Sequence, residues 1–162
     1  MKMFVAGFLA GIPFVASVAL SLIHPWGDVR ATVPGGSDIL NGSMTPPGVR
    51  QVIENKCADC HSNNTHWPIY SRLAPGSWLM EHDVAEGRTH MNFSRWQQYD
   101  PESQIELLSK INAEVRNGDM PVDQYLILHP AKRLTEAERQ MIYSWSRAER
   151  KRIRNVNEQP GQ

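Results

Sequence analysis

The sequence predicts an all-α fold. Several stretches place apolar residues at helical spacing, and the clearest of them begin at helix-capping patterns. No stretch makes a persuasive β-strand, which would alternate apolar and polar residues. A chain of 162 residues has room for one ordinary domain and an additional segment. The formal net charge is zero, so the composition does not indicate a nucleic-acid-binding protein.

The additional segment is the amino-terminal stretch, residues 1–23. Lys2 is its only charged side chain, and the 21 residues from Met3 to Ile23 are uncharged, close to the roughly 20 that a transmembrane helix needs. A signal peptide is the alternative, because Ser-Val-Ala at 17–19 resembles a cleavage site. The uncharged run continues past that site, so we expect an uncleaved transmembrane anchor. By the positive-inside bias, Lys2 stays in the cytoplasm and the rest of the chain lies in the bacterial periplasm.

Three further regions follow the predicted anchor. Residues 24–44 are expected to be a flexible linker, because "VPGGSDILNGSMTPPG" at 33–48 is rich in Gly, Pro and Ser and lacks periodicity. Residues 45–156 are expected to form the helical domain. Residues 157–162 are expected to be a disordered tail.

The first two helices of the domain are predicted from short patterns. The first begins near Pro47, since proline fits the first turn of a helix, and carries Val49, Val52 and Ile53 on or near one face. The second is expected from Ser77 to Gly87. Its candidates for the inward face are Trp78, Leu79 and Ala85.

The last two helices have stronger patterns. The third follows Asp100, a capping residue, and ends at Gly118. Its apolar stripe consists of Ile105, Leu108, Ile111 and Val115. The fourth begins with a capping box in which Thr135 precedes Glu138 by three residues. Its expected apolar face consists of Ala137, Met141, Ile142, Trp145 and Ala148.

The only two cysteines, Cys57 and Cys60, lie one helical turn apart and are followed by His61. A dithiol redox pair would need a βαβ context, and a structural zinc site would need four ligands. A covalent haem accounts for all three residues, because the two thiols can add to the two haem vinyl groups while the imidazole reaches the iron. We therefore predict one covalently bound haem c, attached through Cys57 and Cys60, with His61 as an axial iron ligand.

The sixth iron ligand is predicted to be Met120. It stands in "NGDMPVD", a short stiff loop between the end of the third helix and Pro121, and a methionine thioether is a known axial ligand of c-type haem. The alternatives are His82, His90 and His129, or an ordinary loop methionine with no ligand role.

The pattern around these residues resembles known haem proteins. A helix, Cys57-Ala58-Asp59-Cys60-His61, a Met-Pro loop and a closing helix resemble a class I c-type cytochrome. The motifs at 62–70 (Ser-Asn-x-Thr-x-Trp-Pro-x-Tyr), 77–79 (Ser-Trp-Leu) and 86–88 (Glu-Gly-Arg) are similar to those of a family of membrane-anchored haem-binding domains. The resemblance covers about 47–150 and implies an all-helical, cytochrome c-like domain around one covalent haem.

Other residues have two interpretations each. Trp67 and Tyr70 could stack on the porphyrin or belong to the core. Arg72 and Arg88 could each pair with a haem propionate or remain solvated. The run "RAERKRIR" at 147–154 could contact anionic lipid or an acidic partner, or form a solvated helix end.

The expected function is electron transfer rather than catalysis. An iron with both axial positions filled does not readily bind substrate, so the protein would be a donor, acceptor or subunit of a membrane electron-transport complex. The alternatives are a haem peroxidase, with His66, His82 or His90 as the distal acid–base, and a gas-binding haem sensor. Both alternatives require an open or labile sixth coordination position.

Overall fold

The structure is a computed structural model that describes residues 12–30 and 40–158. Within these residues the chain is helical and contains no β-strand, so the predicted all-α fold class is confirmed. The α-helices are α1 (residues 12–20), α2 (Pro47–Lys56), α3 (Ala58–His61), α4 (Gly76–His90), α5 (Pro101–Asn117), α6 (Asp123–Leu128) and α7 (Glu136–Glu158). Three short 3-10 helices are Ile69–Arg72, Phe93–Gln98 and Pro130–Lys132.

The helices pack around two apolar clusters. α5 lies along α7, and α2 contacts both α7 and α3. The larger cluster is built mainly from these helices and the 3-10 helix Phe93–Gln98, and its most deeply buried side chains are Leu40, Ile53, Phe93, Trp96, Leu108 and Ile142. The smaller cluster consists of Met80, Val84 and Tyr125, with Trp67 and Tyr70 packed against it. α3 lies between α2 and α4, which places the cysteine motif where the two clusters meet.

The predicted helix boundaries are close to those observed for α2, α5 and α7. Asp100 caps α5 by accepting a hydrogen bond from the Ser103 backbone N–H at 2.9 Å, and Gly118 ends it with φ of 84°. At the start of α7, the Thr135 backbone N–H donates to the Glu138 carboxylate at 2.7 Å, and the Thr135 hydroxyl oxygen accepts from the Glu138 N–H at 3.3 Å. The capping patterns therefore located these ends correctly.

The predicted inward faces were less accurate. On α4, Leu79 is 41% exposed, and Trp78 and Ala85 are only half-buried. The buried side chains are instead Ser77, Met80, Glu81 and Val84. On α7, Ile142 and Trp145 are buried as expected, whereas Ala137, Met141 and Ala148 are exposed. The α4 prediction was wrong because one of the residues buried there, Glu81, is charged and so disrupts the apolar pattern.

The predicted amino-terminal anchor is described only in part, since residues 1–11 lie outside the described residues. None of the helices in the described ranges combines the length and the apolar character needed to cross a bilayer. α1 and the residues after it lie against the helical domain. Ser21 Oγ accepts a hydrogen bond from the Ala74 N–H at 2.7 Å, and Trp78 Nε1 donates to the Ile23 carbonyl oxygen at 2.9 Å.

The predicted linker is described over residues 24–30 and 40–44, and both parts contact the domain. Glu81, with 1% of its side chain exposed, lies 3.0 Å from His24 Nδ1 and accepts from Arg30 Nε at 3.0 Å. The Arg30 guanidinium lies over the Trp67 ring, 4.1 Å from its centroid. Leu40 is fully buried and its N–H donates to the Phe93 carbonyl oxygen at 3.1 Å.

The carboxyl-terminal helix extends through residues 157 and 158, which the sequence assigned to a disordered tail, and 159–162 lie outside the described residues. Within the basic run, Glu149 is buried and accepts two hydrogen bonds from Arg152, at 2.7 and 2.8 Å. The remaining basic side chains line one shallow groove on α7: Arg147, Arg150, Lys151 and Arg154.

Candidate haem site

The cysteine motif forms a single helical turn directly after α2. The Cys57 N–H donates to the Ile53 carbonyl oxygen at 2.9 Å and so closes α2. The Cys57 carbonyl oxygen then accepts from the His61 N–H at 3.0 Å. This bond makes the motif one turn of helix, α3, so that the two thiols and the imidazole are held at fixed spacing.

The His61 ring is oriented by a backbone carbonyl. Its Nδ1 lies 3.1 Å from the Met91 carbonyl oxygen, which can only accept, so Nδ1 carries the proton in this bond. The neutral ring then has its lone pair on Nε2. A histidine that binds a metal in proteins has this arrangement, because an acceptor bonded to the other ring nitrogen fixes both the tautomer and the ring plane. The Phe93 ring packs edge-on to the imidazole, with 6.1 Å between the ring centroids.

Burial controls the ionisation of all three motif side chains. It raises the pKa of Cys57 to about 12 and the pKa of Cys60 to about 12. Burial also lowers the pKa of His61, although the hydrogen bond to Met91 partly opposes this. The pair therefore stays in the thiol form near neutral pH. Reactive Cys-x-x-Cys pairs have lowered pKa values instead, so these thiols do not fit a dithiol redox pair.

The last turn of α4 lies directly on the motif. A Cβ atom placed on Gly87 would lie 2.7 Å from the Cys60 carbonyl oxygen and 2.9 Å from Cys60 Cβ. No side chain fits at such distances without a shift of the backbone. Glycine at 87 thus permits the contact of α4 with α3, which explains one residue of the Glu-Gly-Arg motif in physical terms.

Asp59, between the two cysteines, holds the motif against the carboxyl-terminal half of the domain. Its carboxylate accepts from Tyr125 OH and from Lys132 Nζ, both at 2.8 Å, and from the His66 N–H at 3.0 Å. Burial opposes ionisation of Asp59, but the bonds from Lys132 and Tyr125 outweigh it and lower its pKa. No local pattern in the sequence indicates Asp59, Tyr125 or Lys132, since the residues that Asp59 binds lie 66 and 73 positions away in the chain.

The structure places the predicted sixth ligand, Met120, in the loop between α5 and α6, where it is half-buried. Tyr125, five residues further on, reaches Asp59 inside the motif. The alternative ligand His129 is bonded through Nε2 to Tyr70 OH at 2.8 Å and stacks on Tyr125 with 4.4 Å between centroids. The role of Met120 stays a prediction.

The other two histidine candidates lie on α4. His82 Nδ1 lies 3.6 Å from Asp83, and its ring packs edge-on to Trp26 with 5.1 Å between centroids. His90 has 76% of its side chain exposed and lies 3.7 Å from Glu86. Neither candidate has a hydrogen-bonded contact with His61 among the described residues.

The arginines proposed for haem propionates differ in their surroundings. Arg72 is exposed. Arg88 binds protein oxygens: it donates to the Ser62 carbonyl at 2.8 Å, to the Val29 carbonyl at 2.8 Å and to Thr65 Oγ1 at 2.9 Å. Two of these bonds hold the loop after His61, and the third holds the segment that contains Val29.

The donor set of the site fits a haem. It offers two thiols one turn apart and an imidazole whose Nε2 carries the lone pair. Among the residues that the structure describes, no group of three or more His, Cys, Asp and Glu side chains could hold a bare metal ion. The fold and the site together define a helical haem-binding protein.

Comparison with known families agrees with the geometry. The haem-binding domain family matches residues 15–148, which is most of the chain, and the protein belongs to this family. A haem cofactor and haem-iron binding follow from that membership. No curated protein and no solved structure matches the chain.

Proposed function

We propose that the protein is a membrane-anchored c-type cytochrome that transfers electrons. One haem is covalently bound through Cys57 and Cys60, with His61 and Met120 as its axial ligands. The observation that carries the proposal is the 3.1 Å contact of His61 Nδ1 with the Met91 carbonyl oxygen, beside two thiols at one-turn spacing. This arrangement suits an imidazole that binds iron through Nε2.

The chemistry of electron transfer belongs to the haem, whose iron changes between the ferric and ferrous states when bound. The chain's own residues hold and orient it. The motif turn fixes the two thiols, Met91 orients the imidazole, and Asp59 ties the turn to Tyr125 and Lys132. With Met120 as the sixth ligand, the iron would have no open position for a substrate, so this ligand set would favour a carrier over an enzyme.

The location is the second part of the proposal. The uncharged run from Met3 to Ile23 supports insertion in the bacterial cytoplasmic membrane, with the haem domain in the periplasm. The redox partner would then be a membrane electron-transport complex. Carbonate extraction of membranes tests the anchor: the full chain should stay with the membrane fraction, and release into the supernatant would refute it.

The haem assignment is tested on the full chain matured in a host that attaches haem c. A denaturing gel stained for haem peroxidase activity should show a coloured band, and replacing Cys57 and Cys60 together by alanine should abolish it. A redox titration of the native protein should give one reversible one-electron couple. A colourless wild-type band would refute covalent attachment, and a coloured protein without a reversible couple would refute electron transfer.

A further inference from the structure

Three consecutive residues of the site are held by one turn of α4. Gly87 packs against the Cys60 backbone, Arg88 Nε donates to the Ser62 carbonyl at 2.8 Å, and the Met91 carbonyl accepts from His61 Nδ1 at 3.1 Å. The end of α4 thus contacts Cys60, the imidazole ring of His61, and Ser62. Two of these contacts use backbone, and Arg88 supplies the third with its side chain.

Arg88 also anchors the loop that follows His61. Its Nη2 donates to Thr65 Oγ1 at 2.9 Å, and Thr65 Oγ1 in turn donates to the Asp59 carbonyl oxygen at 2.7 Å. Ser62 is fully buried and marks the end of α3. Removal of the guanidinium would leave the buried Ser62 carbonyl without this donor, and a buried carbonyl that loses its partner costs free energy until the backbone moves to find another.

A movement of Ser62 would act directly on the neighbouring His61. The ring of His61 is fixed to Met91 at its Nδ1, while its backbone is fixed through Ser62 to Arg88. Both fixed points lie at the carboxyl-terminal end of α4: Arg88 is in its last turn, and Met91 directly follows it, with its N–H donating to the Gly87 carbonyl oxygen at 3.0 Å. A shift of one point relative to the other would rotate the imidazole about its Cα–Cβ and Cβ–Cγ bonds.

We propose that Arg88 is a positioning residue for the axial imidazole: it holds Ser62 against α4 and thereby sets the plane in which His61 presents Nε2. This inference rests on the proposed haem c function. The hydrogen bonds described above join Arg88 to Ser62 and Thr65, and through these two residues it would act on His61. The planar guanidinium is needed because its separate N–H groups reach Ser62, Thr65 and Val29 at once.

The test compares the full-length haem-loaded protein with R88Q, R88K and the control R95Q. Arg95 is exposed and close enough to influence Arg88 electrostatically, so R95Q removes a nearby positive charge and leaves the Ser62 contact intact. The readouts are the proton NMR shifts of the haem methyl groups in the ferric protein, which report the imidazole plane, and the reduction potential. Circular dichroism checks that each variant is folded.

We expect the methyl shifts to be redistributed in R88Q, redistributed to a smaller extent in R88K, and unchanged in R95Q. The reduction potential should change more in R88Q than in R95Q, although both variants lose one positive charge. Thr65→Val, which removes one Arg88 partner without a change of charge, should give a weaker redistribution. This variant and R88K keep the test decisive if R88Q does not fold. Wild-type methyl shifts in every folded variant would overturn the positioning role.

The two proposals fail in different ways. A wild-type protein that carries no covalent haem refutes the proposed function. Folded variants with covalent haem and unchanged methyl shifts refute only the role of Arg88 and leave the cytochrome assignment standing.

Discussion

Gly87 of α4 packs against the backbone of Cys60 in α3 so closely that a Cβ atom would lie 2.7 Å from the Cys60 carbonyl oxygen. This contact brings the last turn of α4 onto the cysteine-motif turn. It depends on the size of one residue, and it can be disturbed without a change in any of the expected ligands.

We expect Gly87→Ala to lower the free energy of unfolding by about 1–3 kcal/mol, because the added methyl group must displace backbone rather than a flexible side chain. Urea unfolding followed by circular dichroism measures this free energy of unfolding. Gly48→Ala is the matched control: it lies in α2, where the nearest atom to a new Cβ would be the Met141 sulfur at 3.9 Å. Equal stability of the two variants would contradict the close contact.

Asp59→Asn should lower the free energy of unfolding by about 1–3 kcal/mol at neutral pH, because Lys132 and Tyr125 lose a carboxylate partner. The pKa of Asp59 is lowered in the folded protein from its ordinary value of 3.8. Its stabilising contribution is therefore complete above that value and is lost as the pH falls through the lower folded pKa.

The stability difference between wild type and Asp59→Asn should accordingly shrink in acid below pH 3.8. Urea unfolding at a series of pH values measures it. Asp123→Asn serves as the control, since 88% of the Asp123 side chain is exposed and its Arg133 partner lies 3.9 Å away. A difference that is constant down to the most acid pH would argue against an ionised, hydrogen-bonded Asp59.

Glu81→Gln should release residues 24–30 from α4. Glu81 is the buried partner of both His24 and Arg30, and loss of one member of a buried charged group costs about 3 kcal/mol. Trypsin should then cleave after Arg30 faster than in wild type. Glu86→Gln, at a site whose side chain is 56% exposed, should leave the cleavage rate unchanged. Equal rates in the two variants would show that Glu81 does not hold this segment.

Met120→Ala should abolish the weak long-wavelength absorption band that methionine ligation gives to ferric haem c, because the thioether sulfur is removed. The reduction potential should fall if a histidine or water takes its place, since thioether ligation raises the potential. Met44→Ala is the control, because Met44 is 71% exposed. A band that persists in Met120→Ala would exclude Met120 as the ligand.

Sequence patterns predicted helix ends reliably where those ends are fixed by residues close together in the chain. The Asp100 cap, the Gly118 stop and the Thr135–Glu138 capping box all depend on residues a few positions apart, and all lie where the sequence predicts them. The inward face of α4 was predicted wrongly because its burial depends on partners distant in the chain. Glu81 is buried only because His24 and Arg30 meet it there.

The sequence by itself determined that the chain is helical, that two thiols and an imidazole share one turn, and that a haem is the cofactor that this spacing suits. Only the tertiary structure decided which carbonyl orients His61, which side chains hold Asp59, and which oxygens Arg88 binds. The contacts of His61 with Met91, of Asp59 with Lys132 and of Arg88 with Thr65 join residues 23 to 73 positions apart. A periodic pattern specifies a face of one helix, whereas such contacts arise only when separate helices pack together.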